Sequence, residues 1–494
     1  MRCLSRVVKR GHQDCSPRRR LSRLSYLLPL AGWFAFGGFA GGQAPRPTVP
    51  PTASKATTVA PPAPNVTTVE NDVVETVVAE ISPEVRDLLE EALRDYRRRD
   101  LKLALSRLRA AGEQYPELSP AEVVLARFYL ADRLPGDAIQ MLRNAAEALP
   151  DDPEAYLLLG EFAIAEGKLV EADSLIERGR LKVEAMPKEH PRRLGLMGTA
   201  MANMAAVAES RRNWESAEAH LDQWLKLFPK NPQAVLRLAR VQFMSRQLDE
   251  ARQSFDRLQE LDATALPSAI QMGLLFDSTG QRELALAEFR AAASAHADVP
   301  EVRLAITQWA LFAGMMPMAK ENLEAARTAG GDPLVCQLLE GIYWRFQGEH
   351  EKAEILFRKV HDISPLNFDA INQLALVLVD QGDKALLGQA LDYARLGVLL
   401  HADVRSETGR NAMSTFARVL YFGGDQAAAR RAIDTVLSSG QLPPHAAFYA
   451  AEIYHEAGNA EVALKLVDAA VNSPRSFPEK SAAKQLLEEL QADR

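Results

Sequence analysis

The amino-acid sequence predicts an all-α protein, a solenoid of about eleven helix–turn–helix units closed by a C-terminal capping helix. Three observations carry that expectation. Aligned with itself, the chain shows equivalent starts at Val85, Ser119, Pro153, Gly198, Pro232, Leu266, Pro300, Leu334, Phe368, Arg410 and Pro444, and eight of the ten intervals are 34 residues. The twentieth position from each start is alanine eleven times: Ala104, Ala138, Ala172, Ala217, Ala251, Ala285, Ala319, Ala353, Ala390, Ala429 and Ala463, where Ala390 requires a three-residue insertion. Only 7% of residues are aromatic while alanine is abundant, a balance that favours helices over sheets.

Taken in chain order, residues 1–23 are a basic segment; up to residue 44 the chain carries eight basic side chains against Asp14, a net charge of +7. Residues 24–42, "LSYLLPLAGWFAFGGFAGG", carry no charge. A basic flank followed by an apolar run reads as an export element, either a cleaved signal peptide, with Ala40 and Gly42 as the small residues at a cleavage site, or a single membrane anchor. On either reading the positive-inside rule puts the rest of the chain outside the cytoplasm. Residues 43–80 read as a disordered linker: seven prolines and six threonines fall between Gln43 and Val69, a composition too poor in large apolar groups to pack and biased to extended conformations. The solenoid, residues 81–476, opens at Ser82-Pro83, an N-cap and first-turn pair. Residues 477–494, "FPEKSAAKQLLEELQADR", form an amphipathic stretch with a charged outer side, the solvating cap that a solenoid needs.

Inside each repeat the eighth position is small: Ala92, Ala126, Gly160, Ala205, Ala239, Gly273, Thr307, Gly341, Ala375, Ala417 and Ala451. Position fifteen is glycine in seven repeats, so the first helix is expected to end there in the left-handed conformation of a tight helix-to-helix turn. The small residues at eight and twenty are expected to face each other and let two backbones approach. Large residues at twenty-four, such as Leu142, Ile176, Phe289 and Phe357, are expected to fill the space against the next repeat. Two intervals are longer, 45 residues from Pro153 and 42 from Phe368. They place insertions near 186–196 and 383–409, which read as tolerated loops or as specificity elements.

These residues resemble tetratricopeptide repeats, a 34-residue helix–turn–helix family. The resemblance covers roughly residues 85–477 and is sharpest from Leu334 to Asn367, where Gly341, Trp344, Gly348, Ala353, Phe357 and Pro365 stand at family positions. Ala138, Gly160 and Ala172 take the same structural positions in earlier repeats. The resemblance implies a right-handed superhelix whose concave face, lined mostly by first helices, holds a protein or peptide. On that face it places Arg127, Arg237, Arg240, Phe243, Gln308, Arg345, Asn372, Arg418 and Tyr421. Arginines pair with carboxylates and aromatic rings add apolar area, so such a face suits a segment with acidic and apolar groups. The Lys-Asn-Lys-Arg clamp by which some family members hold a C-terminal carboxylate is not reproduced.

One stretch invites a different chemistry. "GEHEKAEILFRKVH", residues 348–361, approaches the H-E-x-x-H helix of zinc enzymes, but Glu354 stands where the second histidine is needed. In the repeat register His350 and Glu351 merely open a second helix. The export-type segment aside, the chain carries a net charge of −14, which excludes nucleic-acid binding through a general field. Cys3 and Cys15 lie in the basic segment and Cys336 stands alone, so the main domain has neither a disulfide framework nor a cysteine zinc cluster. No P-loop, G-x-S-x-G or dinucleotide fingerprint occurs, and the reading is a non-enzyme without cofactor or metal. Two functions fit: an extracytoplasmic scaffold that binds a protein or peptide, or an assembly or regulatory subunit of an envelope polymer-synthesis or secretion complex. Membrane contact on either reading runs only through residues 24–42.

Overall fold

The computed structural model describes residues 83–132, 134–440 and 442–492, and the regular elements among them are helices. The basic segment, the apolar run and the linker lie outside the described residues. Among the described residues, packing divides the chain into two units, 83–277 with Gln281–Ala295 and Ser278–Gly280 with 296–492.

Six helix pairs follow one another in the first unit: α1 (Pro83–Arg97) and α2 (Leu101–Gln114), α3 (Ala121–Ala131) and α4 (Pro135–Ala148), α5 (Glu154–Ala165) and α6 (Leu169–Ala185), α7 (Arg193–Ser210) and α8 (Trp214–Leu227), α9 (Pro232–Met244) and α10 (Leu248–Leu261), α11 (Ser268–Ser278) and α12 (Arg282–Ala295). Five pairs and a last helix make the second: α13 (Pro300–Phe312) and α14 (Met316–Thr328), α15 (Pro333–Phe346) and α16 (His350–Ile363), α17 (Phe368–Asp380) and α18 (Leu387–Leu400), α19 (Glu407–Phe422) and α20 (Gln426–Ser438), α21 (Pro444–Glu456) and α22 (Ala460–Val471), then α23 (Lys480–Ala492). First helices of neighbouring pairs touch: α5 against α7 in the first unit, and α13, α15, α17, α19 and α21 in succession in the second. Each such row presents a first-helix face.

Wherever position fifteen is among the described residues, the turn inside the pair is set there by one left-handed residue. After α15, the Gly348 amide donates to the carbonyl of Arg345 (3.1 Å) and the Glu349 amide to that of Trp344 (2.9 Å), the paired bonds of a Schellman stop. Glu349 then begins α16, its carbonyl accepting from the Ala353 amide at 3.1 Å. The same conformation holds where the sequence lacks glycine: Arg99, Arg212 and Arg246 stand at position fifteen with φ of 63°, 58° and 64°. The packing of the two helices therefore imposes the turn, and glycine relieves its strain. Pro365 starts the turn to the next pair, closed by Asn367 N–H to Ser364 C=O at 3.0 Å, and the Asn367 side chain then caps α17 by accepting from the Ala370 amide at 2.9 Å.

All eleven position-twenty alanines, Ala138, Ala172 and Ala353 among them, are 0% exposed. Position eight and position twenty share one buried cluster, as expected: Ala92 with Ala104, Ala126 with Ala138, Ala417 with Ala429 and Ala451 with Ala463. Where position eight is glycine it also makes room for the large residue at twenty-four of its own repeat. A β-carbon on Gly160 would meet Ile176, one on Gly273 the Phe289 ring, and one on Gly341 the Phe357 ring. Position twenty-four reaches the next repeat as well: Leu142 of α4 is in one cluster with Ala126 and Ala138 of its own pair and Ala155 and Leu159 of α5.

The insertions are structured. The first lengthens α6 to 17 residues and α7 to 18, with 186–192 between them. The second adds a short 3-10 turn, Lys384–Leu386, and a loop in which Ser406 caps α19. The last helix begins at Lys480 and not at residue 477; residues 473–479 carry no helix.

Candidate functional site

The second unit gathers two of the expected face arginines into a buried ionic network. Arg345, near the end of α15, is 4% exposed. Its Nε donates to Asp380 of α17 (2.9 Å), its Nη1 to Gln373 (3.1 Å) and its Nη2 to Glu479. Arg418, on α19, is 5% exposed and donates to Glu452 of α21 (2.6 Å), with Asp380 3.4 Å away. Its guanidinium also lies 4.3 Å from the centre of the Tyr449 ring. Tyr449 in turn donates its hydroxyl to Glu479 at 2.8 Å. Burial alone would lower both guanidinium pKa values, but Glu479 and Asp380 at Arg345, and Glu452 at Arg418, raise them above the ordinary value. Burial likewise acts to raise Glu479, yet the charges of Arg345 and Arg418 hold its carboxyl well below the usual range.

Both arginines are thus consumed inside the chain, whereas the sequence placed them on an open face. The reason is geometric: successive first helices lie against one another, so positions twelve, thirteen and nine of neighbouring repeats meet. Tyr421 and Asn372 are half-buried on the same helices, Tyr421 edge-on to Phe422 at 5.3 Å. Gln308, on α13, is also half-buried.

In the first unit the face is more open. Arg127 donates to Glu154 (2.5 Å), which also receives Ser119 Oγ (2.8 Å) and Arg192 (2.6 Å). Arg192 comes from the first insertion and also bonds Asp152 at 2.7 Å, so that segment is anchored on the start of α5. Arg237 pairs with Glu209 at 3.0 Å and reaches the Ala202 carbonyl at 3.0 Å. Arg240 is half-buried; burial lowers its pKa to about 10, with Glu209 opposing and Arg237 assisting. Phe243 is not on the face: it is 4% exposed and packs edge-to-face on Phe276 at 5.0 Å. Glu161 of α5 remains exposed, yet desolvation by the surrounding helices raises its carboxyl to about 7, against Asn203 and Arg127.

The stretch that approached a zinc motif does ordinary structural work. Glu354 pairs with Arg358 at 2.6 Å and accepts from Gln381 of the following repeat at 2.6 Å, tying α16 to the end of α17. Sequence reasoning missed Asp380, Tyr449 and Glu479 as partners of the arginines. Asp380 stands at position thirteen of its repeat, a count the sequence allows, whereas nothing marked Glu479, which was read as part of the capping helix.

Family comparisons agree with the geometry. A tetratricopeptide-repeat profile matches residues 129–185 and 209–271, and a second profile of the same repeat matches residues 415–479. No curated protein matches the chain. Solved structures with some likeness include yeast Tom70 (14% identical over 83% of this chain and 96% of that one, TM-score 0.36) and the APC/C hetero-tetramer Cut9-Hcn1 (11%, 86% and 98%, TM-score 0.37). A third is PilW, a widely conserved type IV pilus biogenesis factor (21%, 43% and 94%, TM-score 0.32). With these profile matches, eleven fully buried position-twenty alanines and a left-handed residue at every described position fifteen, the chain belongs to the tetratricopeptide-repeat family.

Proposed function

We propose that this protein is an extracytoplasmic protein-binding scaffold whose first-helix face holds a partner protein or peptide. Tetratricopeptide repeats are protein-interaction modules, and their fold is typically non-catalytic. The observation that carries the reading is the first unit's face, where Glu161 is exposed and Arg240 half-buried while second helices supply the packing alanines. An exposed carboxylate beside arginines recognises a segment of mixed charge better than a purely acidic one. The extracytoplasmic part of the proposal is supported by the basic run and uncharged stretch of residues 1–45.

A photo-crosslinking residue placed at position 161 or 240 tests the face. It is expected to capture a partner that the same residue at Asp256, exposed on α10, does not capture. Capture only from position 256 would move the site to the outer surface. A captured synthase or secretion assembly would favour the subunit role over a free scaffold. Export is tested separately: a reporter fused after Val69 is expected to be active only outside the cytoplasm, and cytoplasmic activity at full expression would remove that part.

A further inference from the structure

Residues 473–479 form a bend between α22 and α23 that is held by its own bonds. The Arg475 amide donates to Ser473 Oγ (3.2 Å), the Lys480 ammonium to the Ser473 carbonyl (3.0 Å) and the Lys480 amide to the Phe477 carbonyl (3.1 Å). Glu479 opens α23, its carbonyl accepting from the Ala483 amide at 3.0 Å. The bend is fixed to the last pair of helices. Phe477 is 3% exposed, its ring 6.1 Å from that of Phe448 on α21, in a buried cluster that also takes in Leu376 of α17.

The same bend reaches the other end of the second unit. The Ser476 amide donates to the Phe312 carbonyl, at the close of α13, at 2.7 Å. A β-carbon on Gly314, in the turn from α13 to α14, would touch the Ser476 side chain 3.5 Å away. Glu479 binds Arg345 of α15 and accepts the Tyr449 hydroxyl of α21 at 2.8 Å. Ser476 and Phe477 are adjacent, their α-carbons about 3.8 Å apart, yet one is bonded to α13 and the other is packed on α21. A straight row of five first helices, each about 8–10 Å from the next, would set α13 and α21 more than about 30 Å apart. The row is therefore curled until its first and last members meet the same bend.

In a repeat array each unit ordinarily contacts only its neighbours, so an end can open while the far units stay folded. Here the end is tied past its neighbours. We propose that residues 473–479 are a built-in strap that joins the last pair of the second unit to its first, so that the pairs from α13 to α22 open as one block and not from the C-terminal end inward. Its three ties differ in kind: a backbone bond to α13, a carboxylate to α15 and a buried ring on α21. The inference does not depend on the scaffold reading, which concerns the first unit's face.

Hydrogen exchange on the full chain tests it, with wild type compared with Phe477→Ala/Glu479→Gln. The reporters are the amides of Ala313, Gly314 and Met315, bonded to the Trp309, Leu311 and Ala310 carbonyls, and those of Gly423, Gly424 and Asp425 in the turn after α19. The variant is expected to exchange at least tenfold faster at 313–315, and the increase there is expected to be no smaller than at 423–425, although 423–425 lie nearer the substitutions along the chain. An increase confined to α20–α23, or one that fades from 423–425 to 313–315, overturns the proposal. If the variant does not fold, exchange of wild type at rising urea decides: amides of α13 and α21 are expected to open in one step with the same dependence on urea. Opening of α21 while α13 stays protected would refute the strap.

Discussion

A β-carbon on Gly341 would lie 2.5 Å from Cε1 of Phe357, a ring that is 0% exposed and has no room to retreat. The first helix of this repeat is bare at position eight because the second helix brings a full aromatic ring to position twenty-four. Gly341→Ala is therefore expected to destabilise the protein although alanine is the better helix former: overpacking costs about 1–3 kcal/mol, against about 1 kcal/mol regained in propensity. Urea unfolding of Gly341→Ala, Phe357→Leu and the double variant checks this. The two changes are expected to couple, the double variant being more stable than the sum of the singles implies. Additive effects would mean that the clash is relieved elsewhere.

The left-handed arginines offer the opposite case. Arg99→Gly and Arg246→Gly are each expected to raise stability by about 0.5–1 kcal/mol, since a side chain at positive φ is strained and both arginines are exposed. Gly348→Arg, which installs the same strain at φ 73°, is expected to lower it by a similar amount. Thermal unfolding of the three variants side by side reads both signs.

Ala353 and His350 separate the repeat from the zinc motif. Ala353→Leu puts three further carbons where α15 and α16 touch and is expected to cost about 1–3 kcal/mol. His350→Ala changes the first turn of α16 and is expected to shift stability by less than about 0.5 kcal/mol. Greater damage from His350→Ala, or melting of the protein by a chelator, would restore the metal reading.

Acid is expected to weaken the second unit through His445. Burial, with Arg345, Arg475 and Arg418 nearby and Glu479 opposing, lowers this imidazole to about 4 from its ordinary 6.5. Between those values the unfolded chain binds the proton and the folded chain does not, so stability falls as pH drops from 6.5 to about 4 and is level in this term below it. The loss is at most about 3 kcal/mol. The adjacent carboxyls titrate lower or with both signs: Glu479, held down by Arg345 and Arg418, loses its contribution only below its ordinary 4.5, while burial raises Glu452. The check is therefore a difference: relative to wild type, His445→Gln is expected to make stability rise less steeply with pH between 5 and 6.5, measured by urea unfolding at each pH, since Glu161 and Glu452, both raised by burial, act with the opposite sign in both proteins. An unchanged slope would assign it to another group.

The solenoid was legible residue by residue because its rules are local and repeated. Ala104 through Ala463 mark the second helix, Gly167, Gly280 and Gly348 mark the turn, and both act within one 34-residue unit, so eleven copies reinforce one register. How tightly the small residues at position eight are packed was not legible: Gly341 is small in the sequence whatever it faces, and only the crossing of two helices shows that the Phe357 ring lies where its β-carbon would be. The face residues follow the same division. That Arg345 and Arg418 stand at face positions is a matter of counting. That they are closed off depends on Asp380, Glu452 and Glu479, which lie up to 134 residues away in the chain and are brought within hydrogen-bond reach by the curvature of stacked pairs. Spacing along one helix pair is written in the sequence, because each pair forms its own contacts; which pairs share a charge is set by how the pairs stack, and that sums small rotations no single repeat encodes.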